Sequence, residues 1–217
     1  MRDDAPIKRE RLVRQLQARG IAHPLVLAAM GGVPRERFVD EALRAKAYAD
    51  SALPIGESQT ISQPWIVARM CELAEPDGSG RALEIGSGSG YHAAVLSRLY
   101  EQVYTVERLG GLSVRARKRV RDAGYENVHF KIFDGTYGWS EFAPYRGILV
   151  TAASPDLPRP LFEQLEEGGR LVIPIGNGRA DQEQRLIRYR RRGDRALRDD
   201  HGPCCFVPLL GRFGWSD

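Results

Sequence analysis

From residue 80 onward short apolar runs alternate with amphipathic ones, and this rhythm constrains the fold more than any other feature of the chain. RALEIG (81–86) reads as a strand, YHAAVLSRLY as a helix, QVYTVER (102–108) as a strand and LSVRARKRVRDAG as a basic amphipathic helix. NVHFKIFDG (127–135), YRGILVTAA (145–153) and RLVIPIG (170–176) read as further strands, with RPLFEQLEEGG a helix before the last. Such βαβα alternation calls for a doubly wound, mostly parallel α/β sheet with helices on both faces. Ligands of such sheets bind at the carboxyl ends of the strands, near the point where strand order reverses. The chemistry is expected there.

Ahead of this region the chain reads as short helices. Residues 7–19 place Leu12, Val13 and Leu16 at helical spacing, with Gly20 as a stop. A second helix is expected over 24–30, broken by Gly31-Gly32, and a third from near Pro34 with Phe38, Leu43 and Ala45 turned inward. PIGESQTISQPW (54–65) follows as a loop, then QPWIVARMCELAE as a helix opened by Pro64. At the other end, RLIRYRRRGDRALRDD (185–200) reads as a hairpin turning near Gly193-Asp194.

The glycine cluster LEIGSGSGY carries the first chemical information. Gly86, Gly88 and Gly90 follow a strand and precede a helix, so the backbone can turn tightly and approach a ligand around Ser87. The spacing is GxGxG; the GxGxxG of dinucleotide binders is missing, and with it a good pyrophosphate cradle. Glu107 ends the second strand, 19 residues beyond Gly88, where a carboxylate can accept from both hydroxyls of a ribose. Taken alone, a surface Glu107 paired with Arg108 would be the better reading. Asp134 at the end of the third strand could accept from an adenine amino group while Gly135 lets the chain pass close to the ring; a plain Asp-Gly turn is the alternative. Glu84 would suit a cationic ligand better than a diphosphate. Together these features favour S-adenosylmethionine over NAD.

With those residues in view, the chain resembles the protein-L-isoaspartate O-methyltransferase family over nearly its whole length. The likeness runs from RLVRQLQARGI and VPRERFVDEALRAKAYADSALPIG through QTISQPWIVARM, LEIGSGSGY, VYTVER, ILVTAA and LEEGGRLVIPIG to FVPLLG. The resemblance implies a Rossmann-like class I methyltransferase core with helices added in front and strands behind. It implies methylation of the free α-carboxylate of L-isoaspartyl or D-aspartyl residues in damaged proteins, with S-adenosylhomocysteine released and the ester closing to a succinimide. It also implies that the 54–65 loop covers the methyl donor, with Gln59, Thr60 and Ile61 beside the cofactor and Ser62 as the active-site residue. Read by itself, Ser62 is a helix N-cap candidate just before Pro64. A carboxylate is already ionised at neutral pH, so the scarcity of candidate bases does not argue against an enzyme. His23, His92, His129 and His201 share no spacing and read as structural or exposed; Cys204 and Cys205 read as small apolar residues beginning the last strand.

Three departures from the family pattern stand out. Ser58 replaces a glycine, which adds strain if that position needs positive φ. Arg146 stands where an acid is usual, near the end of the sheet away from the chemistry. Cys205 stands where an arginine often precedes FVPL. These leave open a relative acting on a different peptide carboxylate.

Composition excludes other classes. Asp194, Asp199 and Asp200 interrupt the arginine run, against a nucleic-acid module despite a formal charge of +4. No apolar run approaches a membrane span, the charged start is unlike a secretory leader, and three cysteines form no disulfide framework or zinc spacing. The expectation is one domain over 1–217, with a helical region and loop at 1–78, a cofactor core at 79–180 and added strands at 181–217. A cytoplasmic monomer without bound metal completes it.

Overall fold

The computed structural model describes residues 5–176 and 183–216; the subdivision expected at 180 and 181 lies outside them. Helices α1 (Ala5–Ala18) and α2 (Pro24–Gly32) come first, then two 3-10 turns at Arg35–Arg37 and Glu41–Lys46. Strands β1 (Leu53–Gly56) and β2 (Gln59–Ile61) form a separate antiparallel hairpin, followed by α3 (Pro64–Leu73). The main sheet begins with β3 (Arg81–Ile85), α4 (Tyr91–Leu96), β4 (Gln102–Glu107), α5 (Gly110–Asp122) and β5 (Val128–Ile132). It continues with β6 (Tyr145–Val150), α6 (Arg159–Glu163), β7 (Leu165–Ile175), β8 (Gln184–Arg192) and β9 (Arg195–Cys204).

The seven-stranded sheet has the order β5-β4-β3-β6-β7-β8-β9. The first five strands are parallel and the last two antiparallel, so strand order reverses between β3 and β6. Both faces are buried, as a parallel sheet requires. Ala82, Val103, Leu149 and Val172 face α1 to α5; Leu83, Ile85, Tyr104, Val106, Ile148 and Ile173 face the opposite way, toward α6 and residues 139–142. That alternation decides which side chains of β3 can reach a ligand.

The arginine-rich stretch is the expected hairpin. Arg188 sits opposite Asp199 and pairs with it at 2.8 Å, and with Glu75 at 2.7 Å; Arg185 pairs with Asp200 at 3.0 Å. These cross-strand pairs neutralise charge that sequence alone leaves as a basic run. Arg146 opens β6, at the opposite end from the strand termini that carry the site, and pairs with Asp77 and Glu166.

Four details differ from expectation. Gly31 and Gly32 continue α2; Gly31 allows α1 to pack close, since a Cβ there would lie 3.1 Å from Val13. The third helix is replaced by the two 3-10 turns, whose three-residue period does not carry an α-helical face; Phe38 is buried, but Ala45 is exposed and Ala47 points inward instead. RPLFEQLEEGG is helical only to Glu163, because Leu165 pairs with Tyr145 and draws the rest into β7. Cys204 ends β9 where the last strand was expected to begin, and exposed Cys205 follows it.

Candidate active site

The carboxyl ends of β3, β4 and β6 and the turn after β5 open into a cavity of about 1000 Å³. Gly86, Ser87, Gly88 and Ser89 line one wall. Gly86 has φ 95° and a Cβ there would lie 2.4 Å from the Thr151 hydroxyl, which donates to the carbonyls of Ile85 and Gly86. Gly90 has φ 87° and a Cβ there would lie 2.9 Å from Val120, so only glycine lets α4 start against α5. The turn is therefore dictated from both sides, by β6 and by α5.

Glu107, 7% exposed, closes the end of β4 on the same cavity. One carboxylate oxygen accepts from the Gly88 amide at 3.0 Å and the other from the Leu109 amide at 3.1 Å. Arg108 and Gly135 line the cavity too.

The facing wall comes from the stretch 54–65, with Gln59, Thr60, Ile61 and Ser62 all on the cavity. It is a hairpin, pairing Leu53 with Ile61 and Pro54 with Thr60, and its two-residue turn puts Glu57 at φ 52° and Ser58 at φ 55°. Positive φ at both central residues is the turn that favours glycine or asparagine. Ser58 therefore carries the strain anticipated for it, while Glu57 is offset by an ion pair to Arg115 at 2.8 Å. Ser58→Gly should raise unfolding stability by about 1 kcal/mol in denaturant titration; an unchanged midpoint would mean the serine is not strained.

Ser62 does not cap α3. Gln63 occupies the N-cap position without a side-chain bond, and Asp50 accepts from the Trp65 amide at 3.0 Å. A distant carboxylate thus does the work expected of a local serine.

Two expected site residues lie elsewhere. Glu84 alternates away from Ile85 and is fully buried beneath α3 and α4; it accepts from Thr105 Oγ1 at 2.5 Å and faces His92 Nδ1 at 3.6 Å. Burial pushes its carboxyl up to about 8 against the pull of Thr105, with nearby Glu107 adding to the rise. Burial likewise brings His92 down to about 4, so the pair is uncharged at neutral pH. Asp134 is spent on structure: Oδ1 accepts from Thr136 N at 2.9 Å and its hydroxyl at 2.7 Å, and Oδ2 from Arg212 N at 2.8 Å. It does not line the cavity, whereas Gly135 does.

The structure also adds residues. Tyr91 and His92 line the cavity, the latter donating to or accepting from Cys71 Sγ at 3.3 Å. His129 is exposed and stacks on Tyr104, as a structural reading allows. Residues 203–210 supply a third wall, Cys204 and Cys205 included. They are held by Ala153, whose amide donates to Val207 O at 2.8 Å and whose carbonyl accepts from Leu209 N at 2.8 Å and Trp215 Nε1 at 3.0 Å. FVPLLG was the available signal, but nothing in its pattern tells a wall from a tail.

Among the described residues no group of three His, Cys, Asp or Glu side chains could hold a metal ion, and no helix is long and apolar enough to cross a membrane. A sheet of this order, with a glycine turn after its central strand and an acidic residue ending the next, is Rossmann-like, and its match to solved structures makes it a class I methyltransferase fold. Within that class, residues 7–214 match the model of the protein-L-isoaspartate(D-aspartate) O-methyltransferase family, and the chain belongs to that family. A protein-L-isoaspartate O-methyltransferase 2 of Geotalea uraniireducens (strain Rf4) is 51% identical, over 97% of this chain and 96% of its own. A solved protein-L-isoaspartate O-methyltransferase superposes with TM-score 0.86 at 33% identity, over 95% of this chain and 67% of its own. The fold is also that of a Plasmodium falciparum protein-L-isoaspartate O-methyltransferase structure in complex with S-adenosyl-L-homocysteine, at TM-score 0.78 and 24% identity, over 93% and 98% of the two chains.

Proposed function

We infer that this protein transfers a methyl group from S-adenosyl-L-methionine to the free α-carboxylate of L-isoaspartyl and D-aspartyl residues in damaged proteins and peptides, initiating their repair. The observation that carries this reading is that the serine-bearing hairpin and the glycine turn, far apart in sequence, line one cavity in a chain of this family. The reading includes a single domain acting as a cytoplasmic monomer, with no nucleic acid, membrane or metal required.

The wall residues fit the methyl donor. Ser87 Oγ is buried on the cavity without a hydrogen-bond partner, and each Glu107 oxygen has lone-pair capacity beyond the one amide it receives. When bound, S-adenosylmethionine supplies an electrophilic methyl group on a positively charged sulfur. Gly86, Ser87 and Gly88 would hold its amino-acid part, Glu107 its ribose, with Arg108 beside it and Gly135 against the adenine. Gln59, Thr60 and Ile61 would lie beside the donor, and Ser62 would orient the substrate carboxylate. That group is ionised at neutral pH, so the chain need only position it and exclude water.

Methyl transfer to paired synthetic peptides tests the reading. Labelled methyl should pass to an isoaspartyl peptide and not to its aspartyl twin; transfer to neither, with S-adenosylhomocysteine still bound, would sink the repair assignment. Ser62→Ala should lower turnover about tenfold, the loss of one orienting hydrogen bond of roughly 1–1.5 kcal/mol. Its melting temperature should stay unchanged, because Asp50 and not Ser62 serves the start of α3. A parallel loss of stability and activity would reassign the serine to structure.

A further inference from the structure

Arg35 lies in the first 3-10 turn, between buried Val33 and Phe38, and is itself 0% exposed. Burial pulls its pKa down, and its electrostatic company is Tyr91 and Tyr48, with no carboxylate beside it among the described residues. The guanidinium nevertheless touches both halves of the site. Nη2 donates to the carbonyl of Ser62 at 2.7 Å, and Nε to the carbonyl of Ala47 at 2.8 Å. Its central carbon stands 4.6 Å over the Tyr91 ring, which Phe38 meets edge-on at 5.7 Å. Tyr91 directly follows the glycine turn and lines the cavity. Nη1 is buried without a hydrogen-bond acceptor.

This is an expensive way to fill a core. A buried cation without a counter-ion loses its hydration and recovers only part of it from two carbonyls and a ring, and an apolar side chain of similar length would pack the same space without burying a charge. A side chain that costs stability where it sits is expected at a functional site. What an apolar residue could not do here is grip the Ser62 carbonyl while holding a cation over the Tyr91 ring.

We propose that Arg35 is a positioning residue for methyl transfer: its planar guanidinium fixes the Ser62 carbonyl against Tyr91 and so sets the Ser62 hydroxyl relative to the glycine turn. The proposal rests on the role given to Ser62 above. Planarity matters, since a guanidinium can stack on a ring and donate sideways to two carbonyls, whereas an ammonium offers a single point.

Arg35→Met removes the charge and both donors while keeping an unbranched chain. Its melting temperature should equal or exceed that of the wild type. Turnover on the isoaspartyl peptide should fall about tenfold or more with peptide KM within about threefold, the split expected when orientation alone is lost. Backbone amides 59–63 should exchange hydrogen faster, read by mass spectrometry with S-adenosylhomocysteine bound. Wild-type turnover with unchanged exchange would overturn the proposal, and so would a drop in melting temperature with turnover per folded molecule intact. If Arg35→Met does not fold, Arg35→Lys decides: reduced turnover in a folded protein supports the planar grip, and wild-type turnover overturns it. A wild type that methylates neither peptide would refute the functional reading separately, and the exchange of amides 59–63 would then judge Arg35.

Discussion

Glu107→Ala should weaken S-adenosylhomocysteine binding about 10- to 100-fold, the roughly 1–3 kcal/mol expected for a charge-assisted hydrogen-bond acceptor. The side chain does two things at once. It presents a carboxylate to the cavity, and it anchors the Gly88 and Leu109 amides at 3.0 and 3.1 Å. Alanine therefore removes the acceptor proposed for the ribose and frees the amides of the turn that lines the cavity. Glu107→Gln separates the two effects: its one carbonyl oxygen can keep one amide but not both. Isothermal titration of the three proteins is the measurement. Equal affinities for wild type and alanine variant would remove Glu107 from the site.

The second large effect concerns stability and depends on pH. Glu84 keeps its proton up to about pH 8 in the folded protein, against an ordinary value of 4.5 for the unfolded chain. Between those values the folded state binds the extra proton, so stability falls as pH rises through the window and levels off above about 8. Glu84→Gln mimics the protonated form and escapes that loss. Its advantage should be small near pH 5 and reach about 3 kcal/mol at pH 7, or roughly 6–12 °C in melting temperature for a chain of this size. The glutamine carbonyl can still accept from Thr105, and its amide faces neutral His92. A melting difference that is the same at pH 5 and pH 8 would show that Glu84 does not titrate in this range. Burial keeps the Cys71 thiol above this window; His92, brought down from 6.5 to about 4, adds stability as pH rises between those values, a contribution present in both proteins that cancels in their difference.

Sheet, glycine turn and the glutamate that ends β4 on the cavity were legible because each is set by local pattern. A strand ending in glycines, or in an acid at the right distance, says where its last residue lies. What pattern does not say is which way a residue faces when a strand is buried on both sides. Glu84 and Ile85 are neighbours in a uniformly buried run, and only the packing of α3 and α4 against one face shows that Ile85 meets the cavity while Glu84 does not. Asp134 fails for another reason: Oδ1 serves the local turn at Thr136, the alternative that the Asp-Gly pair offers, and Oδ2 takes the amide of Arg212, 78 residues away, an encounter no local rule anticipates. The same holds for Asp50 serving the start of α3. Arg35 has no local signal either, because an arginine between proline and glutamate in a charged stretch reads as surface, whereas it is fully buried.

The wall formed by residues 203–210 bears on how the protein is made. Those residues leave the ribosome after every strand they cross, and Ala153 can fasten them only once the parallel sheet exists. A nascent chain can thus assemble its glycine turn and serine hairpin well before it owns an enclosed pocket. Until then it displays strand ends and no place to grip a peptide. An enzyme whose substrates are aged polypeptides would in this way stay silent toward the unfolded chains around it, its own included, until residues 203–210 have been made and fastened.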